Sequence, residues 1–246
     1  MKNELLYLSG VDIPFAEATT IIHNPTIREI SYIGEEDFFT GCNLIASIKK
    51  LLNLEDKSVI SDASDFQIFM SIICDKNYTH FKKTVINVLS LLFPNYEVNF
   101  YEDYLLLTNE KMGIVRINEL NFEQFQQIIR TMFCLDHILN KGATEYNPQG
   151  TRAEKIAEKF KKARAKVQQL NSQGESKDIN IFSRYVSVLA VGKSQDINTL
   201  LNYTVFQLFD EFQRFENKTK FDYVTQARMA GAKIDEVDHW MDSIHP

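Results

Sequence analysis

Apolar residues recur at spacings of three and four along most of this chain, the mark of helices that bury one face. The run from Glu35 to about Leu52 carries such a stripe at Phe38, Cys42, Ile45, Ile48 and Leu52. Glu35, Glu36 and Asp37 stand at its positive N-terminal end, Lys49 and Lys50 toward its negative end. Just before it, Thr26 is followed three residues later by Glu29, a capping-box pattern that predicts a short helix over Ile27–Ile33, ended by Gly34. Glu4–Leu8 and Thr19–His23 read instead as short strands, with Gly10 and Pro14 in turns. Further on, Ser61 or Asp62 caps a helix carrying Phe66, Phe69, Met70 and Ile73. Thr79 caps the next, with Val85, Val88, Leu89 and Leu92 along it and Pro94 beyond its end.

The pattern changes after Pro94. Tyr96–Tyr101, Tyr104–Thr108 and Gly113–Ile117 are rich in aromatic and β-branched residues and are split by Glu102-Asp103 and Asn109–Met112, which predicts an antiparallel meander over 96–117. Asn121 then caps a helix through Phe125, Ile128, Ile129, Phe133 and Ile138. The expected fold class is α+β and predominantly α-helical, with the meander packed on helices of an N-terminal domain, 1–140.

The Gly- and Pro-containing stretch 141–150 reads as a linker, and 151–246 as a helical domain. Within it Ala153, Ile156, Phe160, Ala163, Val167 and Leu170 form a narrow heptad-like stripe on a helix over 152–170, which needs a neighbour or partner to cover it. Ile179–Val191 is apolar and reads as a buried helix ending at Gly192. Thr204 with Gln207 is a second capping box. It opens a helix with Val205, Leu208, Phe209, Phe212 and Phe215 on one face and Gln207, Asp210 and Arg214 on the other. A further helix over Lys220–Ala230 stops at Gly231, and a last one over Asp235–Ser243 presents Val237, Trp240 and Met241. On this face assignment Phe212→Asp disrupts folding or partner binding and Gln207→Ala is mild.

Composition changes this picture little. Hydrophobic residues make up 44% and aromatics 12% of 246 residues, enough for a sizeable core. The formal charge of −6 argues against wholesale nucleic-acid binding. Cys42, Cys74 and Cys134 show neither CxxC spacing nor a disulfide framework and read as buried reduced thiols. No run approaches the ~20 apolar residues of a membrane span, so no membrane is expected.

Candidate chemistry is sparse, and no enzyme, metal or cofactor is expected. Gly192-Lys193-Ser194 lacks the glycine five residues earlier that a phosphate loop requires; Ser187 stands there. Asp136-His137 has no nucleophile motif beside it. The cluster Asp235, Glu236, Asp238, His239, Asp242 and His245 reads as a solvated acidic face, although one side of a helix could gather cation ligands from it. The basic run Arg152 to Lys166 reads as the outer face of the heptad helix, with phosphate contacts as the alternative.

The order of three segments is more specific than any single motif. EYNPQGTRAEKIAEKFKKAR at 145–164, NYTVFQLFDEFQRF at 202–215, and QARMAGAK with DHW between 226 and 240 resemble a family of tail-region proteins from tailed bacteriophages of Gram-positive hosts, described as tail assembly chaperones or tail-associated proteins. PTIREISYIGEEDFF at 25–39 resembles the same family. The resemblance implies a non-enzymatic viral protein of the host cytoplasm, or of the virion, whose partners are the tape-measure protein and tail-tube subunits. A homo-oligomer is an open alternative. A structural tail or adaptor component, and a nucleic-acid-binding regulator acting through the basic helix 152–166, are the competing functions. The surfaces such a role would use are Ile156, Phe160 and Val167 on the heptad stripe, Leu208, Phe212 and Phe215 on the later helix, and Trp240.

Overall fold

The structure is a computed structural model that describes residues 4–16, 20–51, 63–136, 180–231 and 239–241. The fold is α+β, with two small antiparallel sheets in the N-terminal half and helices elsewhere. The linker 141–150, the heptad helix 152–170 and the caps proposed at Ser61 and Asp62 lie outside the described residues.

The chain starts with helix α1 (Glu4–Leu8), where the sequence reads as a strand. Its apolar residues pack on a helix from the far end of the chain, a long-range contact that outweighs local propensity. Strand β1 (Ile13–Phe15) runs through Pro14 and pairs with β2 (Thr20–Ile22). Pro14 was expected in a turn. A two-stranded ribbon consists only of edges, so a residue without an N–H is tolerated there. The Thr26/Glu29 capping box forms as expected and opens α2 (Ile27–Ile30). Helix α3 (Glu35–Ala46) breaks at Ser47 and resumes as α4 (Ile48–Leu51), so the single helix expected to reach Leu52 is two. The break is held from outside. Gln126 Nε2 donates to Ile45 O (2.8 Å) and Arg130 Nε to Ala46 O (2.6 Å), occupying carbonyls that the next helical turn would use.

Helix α5 (Asp65–Cys74) is capped by Ser64 through a capping box with Gln67. Helix α6 (Thr79–Leu92) follows a 3₁₀ turn (Lys76–Tyr78), and no side chain caps it; Thr79 is its first residue. Gly41 of α3 lies against α6: a Cβ there would come within 2.6 Å of Val88 Cγ2 and 2.8 Å of Thr84 O. The meander is β3 (Glu97–Phe100), β4 (Leu105–Asn109) and β5 (Gly113–Ile117), in that order across the sheet. Leu105, Leu107, Val115 and Ile117 face the core. Helix α7 (Glu119–Met132) is capped by Asn118, with Asn121 as the returning partner of that box rather than the cap.

The described part of the C-terminal half is α8 (Ile181–Lys193), α9 (Ile197–Leu201) and α10 (Val205–Met229). Its residues and those of the N-terminal half share one hydrophobic cluster. Phe182 of α8 meets Phe38 and Phe39 of α3 at ring-centroid distances of 5.9 and 5.0 Å, and Phe38 meets Phe133 at 4.8 Å. Aromatic pairs at such separations contribute about 0.5–1.5 kcal/mol beyond the area they bury.

Polar contacts fasten the same joint. The Glu35 carboxylate accepts from the backbone N–H groups of Phe182 and Ser183 (3.0 and 3.1 Å), so a residue in the first turn of α3 caps α8 as well. Arg28 donates to Asn198 and Asn202, both at 3.2 Å. Ile27 N–H donates to Tyr203 O (2.9 Å), and the two N-cap threonines, Thr26 and Thr204, form an antiparallel bridge.

Candidate protein-interaction site

The C-terminal helix is the element around which the candidate surface is built. Its capping box is complete: Gln207 N–H donates to Thr204 Oγ1, and Thr204 N–H donates to Gln207 Oε1. The second arm of Gln207 donates to Leu8 O (2.9 Å), holding the end of α1 against the start of α10. Tyr7 lies beside Phe206 at 5.7 Å, and burial raises its pKa against the opposing effect of a hydrogen bond with Thr131.

The sequence suggested two helices over 205–230; the structure has one, 25 residues long. At 1.5 Å per residue it spans roughly 37 Å. Gly231 (φ 89°) follows its end, as expected. Only the first two turns are buried, with Val205, Phe206, Leu208, Phe209 and Asp210 inside. Asp210 corrects the sequence assignment to the solvent face: it is only 6% exposed. Arg214 Nε donates to its Oδ2 at 3.0 Å. Its charge bears on Cys134, whose thiol is pushed up to about 12 by burial and by the Asp210 carboxylate.

The candidate residues fall in different places along this helix. Leu208 is fully buried in the core. Phe212 is half-buried and stacks on Tyr185 of α8, ring centroids 3.8 Å apart. Phe215 is half-buried against Gly192, where a Cβ would come within 2.3 Å of its ring. Gly192 therefore does not end α8, as expected from its residue type; it lies inside the helix, and Ser194 in the left-handed conformation ends it. Lys193 of the same stretch pairs with Glu211. Among the described residues beyond Phe215 no side chain joins the core, and Tyr223 and Met229 are largely exposed. Residues 239–241 form a turn rather than part of the helix expected over Asp235–Ser243. There the His239 ring lies 5.1 Å from Phe221, next to half-buried Trp240. The helix thus has a core-anchored half and an extended half of roughly 20 Å, which periodicity alone did not separate. Ile156, Phe160 and Val167 lie outside the described residues, as do most members of the 235–245 acidic cluster.

Among the described residues no three of His, Cys, Asp and Glu are grouped to hold a metal, and no helix is long and apolar enough to cross a membrane. Cys42 and Cys134 are buried as expected, but Cys74 is exposed.

Residues 173–245 match the family model described as the YomV second domain, a phage-derived family. No curated protein and no solved structure matches the chain.

Proposed function

We propose that this is a phage tail assembly protein without enzymatic activity, which binds the tape-measure protein or tail-tube subunits while tails are built. The observation that carries the reading is the 25-residue helix α10, anchored in the core by two turns and extended for the rest of its length. An amphipathic helix held at one end can present the exposed positions of its outer length, Tyr223 and Met229 among them, to another helix, the geometry of helix-in-groove recognition. The phage-derived match over 173–245 covers this same element, and the resemblance of 145–240 to tail assembly chaperones points to helical tail proteins as partners.

The test is co-expression with the tape-measure protein of the same phage. The expected result is that the chain keeps the tape-measure protein in the soluble fraction and co-purifies with it. Tyr223→Asp with Met229→Asp should abolish that effect without shifting the thermal midpoint, because neither side chain reaches the core. Tape-measure protein that stays insoluble, or stays soluble with the doubly substituted chain, would sink the reading. Detection of the chain in purified virions by mass spectrometry would make it a structural component instead. Salt-sensitive DNA or RNA binding abolished by charge reversal at Lys161, Lys162 and Arg164 would replace both with a nucleic-acid role.

A further inference from the structure

We infer that the outer edge of β5 is a self-association site at which a second copy of this chain pairs antiparallel, joining two three-stranded meanders into one six-stranded sheet. The hydrogen-bond phase of the meander shows which backbone groups are available. Tyr101 N–H donates to Tyr104 O (2.9 Å), so residues 104, 106 and 108 turn toward β3 and residues 105, 107 and 109 toward β5. In the β4–β5 register these last three face Ile117, Val115 and Gly113. The N–H and C=O groups of Ile114 and Arg116 are left pointing outward. Asn121 Nδ2 donating to Arg116 O (2.9 Å) agrees with that phase and leaves the second lone pair of the carbonyl open.

Among the described residues no strand lies along this edge. Two of the usual protections of an edge are missing: residues 105–120 contain no proline, and the ladder has no bulge; Arg116 is the charge that the strand does carry. Large apolar side chains flank it, with Met112, Ile114 and Leu120 exposed at 68%, 70% and 94%.

Charge and hydrogen-bond arithmetic select the occupant and its register. With the two-fold axis at Val115, Ile114 of each copy faces Arg116 of the other. All the outward N–H and C=O groups of the strand are then used, and the two Arg116 side chains are kept apart, each beside the Ile114 of the other copy. An axis at Ile114 would set the Arg116 backbone groups against the turn before Gly113, where Asn109 Oδ1 already takes the Met112 N–H. An axis at Arg116 would set two guanidinium groups against each other. The edge is complementary to itself in one register. The Arg116 guanidinium already lies on the Tyr104 ring, 4.0 Å from its centroid, which leaves its aliphatic stem facing the incoming Ile114.

Sedimentation equilibrium of the full-length chain over a wide concentration range tests this. The expected result is a reversible monomer–dimer equilibrium. Ile114→Pro removes an outward N–H and leaves the β4–β5 ladder intact, so it should weaken the dimer at least tenfold with circular dichroism unchanged. Ile114→Glu sets a carboxylate opposite Arg116 of the other copy and should keep or tighten association, whereas Ile114→Glu combined with Arg116→Glu should weaken it at least tenfold. That contrast is expected only from the Val115-centred register and excludes simple misfolding. A chain that stays monomeric throughout, a dimer indifferent to Ile114→Pro, or an Ile114→Glu chain that fails to associate would overturn the proposal.

Discussion

A methyl group at Gly192 would run into the Phe215 ring, which is pressed against the α8 backbone from a helix that begins at Val205. Gly192→Ala should therefore destabilise the protein by about 1–3 kcal/mol through overpacking, read as a lower thermal midpoint, whereas Gly34→Ser meets no neighbour and suffers only its backbone strain (φ 92°). The three thiols divide just as sharply. Burial pushes Cys42 and Cys134 up, and the Asp210 charge pushes Cys134 further, so neither offers a thiolate at neutral pH. Titration with a disulfide reagent should give one prompt equivalent, from Cys74, and the remaining two only after unfolding. The Glu29 carboxyl illustrates opposed effects. Burial alone would raise it, but hydrogen bonds from Thr26 N–H and Oγ1 and from His23 outweigh burial and hold it below its ordinary value. A depressed folded value gives stability that is present above the unfolded value and lost as pH falls through the folded one. Wild-type protein should lose more urea resistance than Glu29→Gln between about pH 6 and about pH 3.

At the scale of elements, the capping boxes at Thr26 and Thr204 were legible because the physics that makes them is contained within four residues. The meander was legible too, since its pleat alternates side chains visibly between faces. Gly10 stands in a turn with a φ of 72°, as expected, but Glu4–Leu8 and Pro14 were misread, the helix because what sets it lies far away in sequence. Gln207 from α10 holds Leu8 O, and Tyr7 packs on Phe206. Asp210 was misplaced for a related reason: the 3.6-residue period locates one buried face, but here α7 and the chain at Cys134 cover a second. The structure puts a figure on the mild effect expected of Gln207→Ala. The substitution loses bonds to both Thr204 and Leu8, so it should cost about 1 kcal/mol, against a larger loss for Phe212→Asp, which destroys the stack on Tyr185. Glu35→Ala should cost about 0.5–2 kcal/mol by removing the α8 cap, measured by chemical denaturation.

At the scale of the molecule, α8 to α10 complete a core begun by the first 136 residues. Phe182, Leu200 and Phe206 belong to the same cluster as Phe38 and Phe133. Residues 173–246 expressed alone should therefore lack cooperative unfolding by calorimetry, although they span the segment matched to a domain family. A sharp, independent transition would show that the segment closes its own core. No local pattern could announce this sharing, because the residues that meet are separated by most of the chain.

The bridge between Thr26 and Thr204 has a consequence for how the protein is made. Translation delivers residues in order at roughly 5–20 per second, so α2 and the start of α3 leave the ribosome ~10 s or more before their counterparts around Tyr203 and Phe182 exist. During that interval Ile27, Phe38 and Phe39 lack their final cover, and the nascent N-terminal half must wait, exposed to holdase chaperones. Closure comes only near the end of synthesis, which makes the time spent incomplete a built-in property of the topology and the last helix the step that ends it.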